Sequence, residues 1–191
     1  MPQEFICIKI KTSRLILGKL SINDIPKIIE YASNKKIADT TLNIPHPYEV
    51  RDAIFWINNA NKGFENKSQF TFGIKIKTNY EFIGGIGLKI NNVLNQAELG
   101  YWIAEKYWNK GFATEAVEAI IKFGFKELHL NKICASHLEQ NPASGKVLIK
   151  NGMIKEGELI METKKDDHYK VLIQYRLNRT EFDNRKSTLL N

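Results

Sequence analysis

Three strand-like runs packed close together, followed at once by a helix, limit this chain more than any other feature. Residues 69–77 (QFTFGIKIK) and 81–90 (EFIGGIGLKI) are separated by a short turn at Thr78–Tyr80, and 96–104 (QAELGYWIA) follows at similar spacing. Runs at that spacing form hairpins, so this half of the sheet must be antiparallel, and a purely parallel doubly wound sheet is excluded. The period then changes. From Ala113 to Leu128 the apolar positions 113, 116, 117, 120, 121, 125 and 128 trace one face of a helix.

The rest of the chain arranges itself around this block. Residues 12–20 read as a strand, and Ser21 caps a helix running through Ile28 and Ile29. The stretch 43–47 (NIPHP) is a loop, because proline disfavours the α conformation in the residue before it. A helix over 49–62 carries Val50, Ala53, Ile54 and Ile57 at helical spacing. After the central helix come a strand at 131–138, a helix at 142–151 and strands at 153–163 and 168–177. The order predicts an α+β fold: a mixed, mostly antiparallel sheet of about seven strands flanked by helices. A chain of 191 residues, 43% of them hydrophobic, suffices for one core, so residues 1–191 are read as a single domain with its core at 12–177. The polar segment 178–191 is read as a loose tail.

Several function classes drop out. No apolar run approaches the roughly 18 residues of a membrane span, and the first residues lack the apolar stretch of a signal peptide, so a cytoplasmic protein is expected. The net charge of +7 favours anionic ligands and acidic partners. The basic residues are scattered, however, without a block of about five like charges, so direct nucleic-acid binding is not expected. Cys7 and Cys134 form no paired motif and read as small hydrophobes, and His129, His137 and His168 lack metal-ligand spacing, so no metal is expected.

Chemistry is concentrated at the junction Tyr107-Trp108-Asn109-Lys110-Gly111-Phe112-Ala113-Thr114-Glu115-Ala116, between a strand and an amphipathic helix. Gly111 permits tight backbone geometry, and Ala113 offers almost no side chain to block a ligand. The first N–H groups of a helix lack internal partners and carry the positive end of its dipole, which suits a phosphate or pyrophosphate. Alone, the pattern also fits a plain glycine turn. Its context is more specific. Trp108-x-x-Gly111-x-Ala113 resembles the pyrophosphate loop of the Gcn5-related N-acetyltransferases in the form used by their RimJ/RimL-type group, with Trp108 where the wider family has Arg or Gln. Glu98-Leu99-Gly100-Tyr101-Trp102-Ile103, Asn141-Pro142-Ala143-Ser144 and Asn151-Gly152-Met153 resemble further motifs of that group. So do Thr12-Ser13-Arg14-Leu15 and Pro45-His46-Pro47-Tyr48 with Asp52, Ala53 and Trp56.

The resemblance spans about residues 12–177 and implies a sheet whose central strands splay apart around acetyl-CoA, with no metal. It places the pantetheine arm along 98–104, with Ile103 and Ala104 as contacts, and the pyrophosphate on the N–H groups of residues 109–114, within a cofactor loop of Trp108, Asn109, Lys110, Gly111, Phe112, Ala113 and Thr114. Glu98 is the candidate general base, a carboxylate flanked by Ala97 and Leu99 in a central strand; a structural carboxylate bonded to a neighbouring strand is the alternative. Ser144 is the candidate acid near the sulfur, since the helix tyrosine used by many family members is replaced here by Leu148. Asn141 is expected on the cofactor arm, and both Asn141 and Ser144 equally suit helix capping. His46, Tyr48 and Trp102 are expected at the acceptor site.

The resemblance implies a primary amine as acceptor, with a protein or peptide N-terminal α-amino group expected and a small amine such as an aminoglycoside, polyamine or amino acid as the alternative. Glu49, Asp52 and Glu65 would supply the acidic mouth a polycation needs. A module that binds acyl-CoA without turning it over and a basic adaptor on RNA are the competing classes. Many relatives dimerise, and no feature of the sequence decides for or against a homodimer.

Overall fold

The computed structural model describes residues 8–162 and 169–187. Its strands are β1 (Ile10–Lys11), β2 (Leu15–Lys19), β3 (Gln69–Ile76), β4 (Phe82–Asn91), β5 (Gln96–Ile103), β6 (Lys132–Leu138), β7 (Ile154–Glu162) and β8 (Tyr169–Asn178). Its helices are α1 (Ile25–Ala32), α2 (Lys35–Asp39), α3 (Val50–Asn66), α4 (Phe112–Lys126), α5 (Pro142–Lys150) and α6 (Arg179–Ser187). The strands form one eight-stranded sheet in the order β1-β2-β3-β4-β5-β6-β8-β7. Eight strands replace the expected seven because the Thr12–Arg14 turn cuts a two-residue β1 from β2. Short α2 was not anticipated. Its local signal is Asn34, whose side chain accepts a hydrogen bond from the Lys36 N–H.

Two apolar clusters hold the layers together. The larger joins Ala116, Val117, Ile120 and Ile121 of α4 to Leu88 and Leu99 of the sheet. In the second, Ile28 of α1 and Ala53, Ile57 and Ala60 of α3 meet Phe82 and Trp102. The central pair β5–β6 is parallel and its ladder runs only from Gln96↔Lys132 to Leu99↔Ala135. Beyond that point β5 stays paired with β4 up to Gly84↔Ile103, and β6 with β8 up to Leu138↔Leu172. Each strand therefore keeps its outer partner, and their inner edges part. Backbone groups on a parted edge can bond an amide-bearing ligand as they would a strand.

The segment after β8 departs from the expected loose tail. Residues 179–187 form α6. Asn178 and Glu181 cap it reciprocally: the Glu181 N–H donates to Asn178 Oδ1 at 2.8 Å, and the Asn178 N–H donates to Glu181 Oε2 at 2.9 Å. Phe182 is buried and stacks on Phe125 of α4 at a centroid distance of 4.7 Å. Polar composition hid a single apolar anchor. Phe182→Ala is expected to lower stability by about 3 kcal/mol, the usual cost of deleting a buried phenylalanine. Denaturant unfolding checks this, and a change within experimental error would mean the helix is only loosely docked.

Candidate active site

The loop before α4 is shaped to hold an anion. Asn109 and Gly111 both take positive φ, 59° and 78°, and alternating backbone of this kind turns successive N–H groups to one side. The first bond of the helix runs from the Glu115 N–H to the Gly111 carbonyl, at 3.1 Å. The N–H groups of residues 109 to 114 have no partner among the described residues. They sit at the positive end of a 15-residue helix, where a pyrophosphate is favoured.

The expected loop residues divide into two sets. Asn109, Gly111, Phe112, Ala113 and Thr114 line a cleft of about 1110 Å³. Trp108 also lines it, but its indole N–H turns back to the Ile103 carbonyl at 2.6 Å, so it braces the end of β5. The Lys110 ammonium lies over the Tyr107 ring, 5.5 Å from the centroid. Ile103 lines the cleft, whereas Ala104 is buried and spends its N–H on Ile83. The Ala104 N–H is thus unavailable to a pantetheine arm.

A brace behind the loop was not anticipated. The Glu115 carboxylate receives hydrogen bonds from Thr12 Oγ1 (2.6 Å), Ser13 Oγ (3.0 Å), the Arg14 N–H (2.8 Å) and Arg14 Nε (2.6 Å). Arg14 also donates to the Lys110 carbonyl at 2.9 Å, and its guanidinium lies 4.5 Å over the Phe112 ring. Burial on its own would raise the Glu115 pKa. The bonds from Thr12, Arg14 and Ser13 outweigh it and hold the carboxyl at about 2.

Both faces of β5 open into the same cleft. Glu98, Gly100 and Trp102 line it from one face, and Leu99, Tyr101 and Ile103 from the other. The parting of β5 from β6 makes this passage through the sheet. Glu98 is exposed, not buried as its place in a central strand suggested, and its carboxylate, unlike its backbone, makes no hydrogen bond to a neighbouring strand among the described residues. Its face of β5 opens onto the cleft, beside its cross-strand neighbour Lys89. Trp102 packs against Trp56 at 6.0 Å, and Gly85 admits this pair, since a Cβ there would lie 2.6 Å from the Trp56 ring. Tyr48 is buried at the cleft wall, where burial and the Asp52 charge push its hydroxyl up to about 12. His46 is exposed and lies outside the cleft lining, which Pro45 and Tyr48 reach from either side of it.

At the opposite wall, Asn141 caps α5, accepting the Ser144 N–H at 3.3 Å while its amide donates to the Thr40 carbonyl at 3.2 Å. Capping and cleft lining therefore coexist at Asn141. Ser144 Oγ lies 2.7 Å from the Tyr101 hydroxyl, a contact the sequence gave no sign of. Leu148, one turn further on, is fully buried. Cys134 carries a free, half-buried thiol that burial pushes up, while Cys7 and His168 lie outside the described residues. Among the described residues no group of three or more His, Cys, Asp or Glu is placed to hold a metal, and no helix is long and apolar enough to cross a membrane.

A mixed sheet parted at the parallel β5–β6 pair, with unpartnered N–H groups at a helix start lining the gap, is the architecture of a coenzyme A-dependent acyltransferase. The sequence matches the family model described as an acetyltransferase (GNAT) domain over residues 14–154, and the chain belongs to that family. An uncharacterised N-acetyltransferase, p20, from Bacillus licheniformis is 35% identical over 154 residues, covering 78% of this chain and 83% of the relative. A [Ribosomal protein uS5]-alanine N-acetyltransferase from Escherichia coli is 24% identical over 160 residues, covering 78% and 80%. A solved GNAT-family acetyltransferase from Bacillus anthracis superposes with a TM-score of 0.79 at 26% identity, covering 91% of this chain and all of that one.

Proposed function

We propose that this acetyltransferase moves the acetyl group of acetyl-CoA onto the α-amino group of a protein or peptide N-terminus. The observation that carries this reading is the single cleft lined by both faces of β5. It allows the thioester to enter from the Ser144 face and the amine from the Glu98 face, so that they meet within the gap. On the amine side the floor at Gly87 and Gly100 is bare backbone, and a Cβ at Gly100 would touch nothing within 4 Å. An extended peptide fits such a floor better than a compact ring system. The net charge of +7 and the E. coli relative's named action on an alanine of ribosomal protein uS5 support the same choice.

The reaction asks for a neutral amine, a donor for the developing oxyanion and a proton for the leaving thiolate. Glu98 takes the amine proton, directly or through water, and the exposed position of its carboxylate suits a water relay. A backbone N–H at the free edge of β5 polarises the carbonyl. Ser144 gives its proton to the sulfur. Acid and base each contribute about 10²–10⁴-fold at best, and positioning supplies much of the remainder. A polycationic acceptor finds less support. Of Glu49, Asp52 and Glu65, only Asp52 lines the cleft, and its carboxylate already caps α3 by accepting the Glu49 N–H at 2.7 Å.

Thiol release from acetyl-CoA with alanine-initiated peptides, spermidine and an aminoglycoside tests the reading. The peptides are expected to give the highest kcat/KM, and Glu98→Gln to lower kcat by about tenfold to a hundredfold. Preference for a small amine over every peptide would overturn the acceptor. Acetyl-CoA binding without thiol release from any amine would overturn the transfer itself.

A further inference from the structure

We propose that Tyr101 is a positioning residue that acts through Ser144, completing a two-hydroxyl proton relay to the leaving sulfur. The inference rests on the proposed role of Ser144 and adds the group behind it. The Tyr101 hydroxyl lies 2.7 Å from Ser144 Oγ and 3.3 Å from the Ser144 carbonyl, so the hydroxyl oxygen is its principal partner. The two residues come from opposite walls of the gap. Tyr101 stands on β5 two residues beyond Leu99, the last to pair with β6. Ser144 stands in the first turn of α5. Both line the cleft. Leu148 is fully buried and carries no hydroxyl, so that position of α5 offers the gap no proton donor, and the second hydroxyl is supplied by the strand.

The chemistry favours a pair over a lone serine. A serine that gives up its proton unaided becomes an alkoxide, a far stronger base than the thiolate it serves. With Tyr101 donating to it, Ser144 takes a proton as it loses one, and the charge ends on a phenolate. As the C–S bond breaks, its electron pair goes to sulfur. The Ser144 proton moves to sulfur and the Tyr101 proton moves to Ser144 Oγ. The proton that leaves the amine through Glu98 and water returns to Tyr101, so one proton is lost and one gained overall. Burial pushes the Tyr101 hydroxyl up to about 12 against the opposing bond to Ser144. The phenol therefore stays protonated throughout the neutral range, so the proton it passes to Ser144 is in place before the C–S bond breaks.

The test uses acetyl-CoA with an alanine-initiated peptide, thiol release as the signal, and thermal melts to confirm that each variant is folded. Tyr101→Phe is expected to lower kcat about tenfold while KM for acetyl-CoA stays within twofold. Ser144→Ala is expected to lower kcat at least as much, and adding Tyr101→Phe to it should cost nothing further. In mixed H₂O/D₂O the wild-type proton inventory should bow, as two protons move together, and the Tyr101→Phe inventory should be linear. A packing role would leave the inventory unchanged. Site-specific fluorotyrosine at 101, which keeps the ring and acidifies the phenol, should move the basic limb of the kcat profile to lower pH. Should Ser144→Ala lose activity while Tyr101→Phe keeps kcat within twofold, Tyr101 is excluded and Ser144 acts alone. A Tyr101→Phe variant that raises KM with kcat intact also overturns the relay. If Ser144→Ala has no effect, or the wild type releases no thiol with peptide or spermidine, the underlying reading fails and the relay falls with it.

Discussion

Gly111→Val is expected to raise KM for acetyl-CoA by about two to three orders of magnitude. Gly111 holds φ at 78° where α4 begins. A β-branched residue there suffers the steric penalty of left-handed backbone, about 1–2 kcal/mol. To escape it the loop must rotate, and the N–H groups of residues 109–114 would then no longer converge. Hydrogen bonds to a charged partner contribute about 1.5–3 kcal/mol each, so losing two of them accounts for the predicted loss of affinity. A Cβ at this position would also lie 3.3 Å from the Arg14 guanidinium, which fastens the loop from behind. Gly111→Asn separates the two causes. Asparagine tolerates left-handed backbone, so it should lose much less affinity than valine if conformation dominates. Calorimetric titration with coenzyme A reads all three proteins. A valine variant that binds as the wild type does would show that the phosphates rest elsewhere.

The parts of this site that lie close together in sequence were legible, and those made across the fold were not. Alternation over 69–104 and the helical period from Ala113 located β3, β4, β5 and α4 within a residue or two. Gly111 before an amphipathic helix reads as a turn from its own neighbours, and only its wider surroundings point to the proposed cofactor loop. The two faces of β5 were also readable, because strand side chains alternate. Whether a face is covered was not. Glu98, flanked by Ala97 and Leu99 in a central strand, has the sequence setting of a buried carboxylate, yet its side chain opens onto the cleft. The Tyr101–Ser144 contact joins residues 43 apart, and the Glu115 brace spans about a hundred. No local pattern encodes either. Helix α6 is different, because its signal is local. Asn178-x-x-Glu181 is a capping box, but the sparse apolar content around Phe182 gives the segment the composition of a loose tail.

Glu115→Gln is expected to lower stability by about 2–3 kcal/mol at neutral pH and to loosen acetyl-CoA binding. The carboxylate collects four hydrogen bonds from residues 12–14 and fixes the first turn of the helix that carries the proposed anion site. Its side chain is only 14% exposed but that of Arg14 is 47% exposed, so solvent screens part of the ion pair and the neutral donors Thr12, Ser13 and the Arg14 N–H carry much of the rest. Glutamine keeps the shape but turns an N–H₂ group toward several donors. The pH dependence identifies the charge as the cause. With its pKa lowered from 4.5 to about 2 in the folded protein, Glu115 contributes stability that is complete above the unfolded value. That contribution fades as pH falls from about 4.5 towards about 2, because the unfolded chain takes up its proton first. Each pKa unit corresponds to about 1.4 kcal/mol, which sets the predicted size after a discount for partial exposure. Denaturant unfolding of both proteins at steps between pH 7 and pH 3 should show a gap that narrows with acid, since all other titrations cancel in the difference. A gap of constant size across that range would mean that packing, not the paired charge, ties the Thr12–Arg14 turn to the cofactor loop.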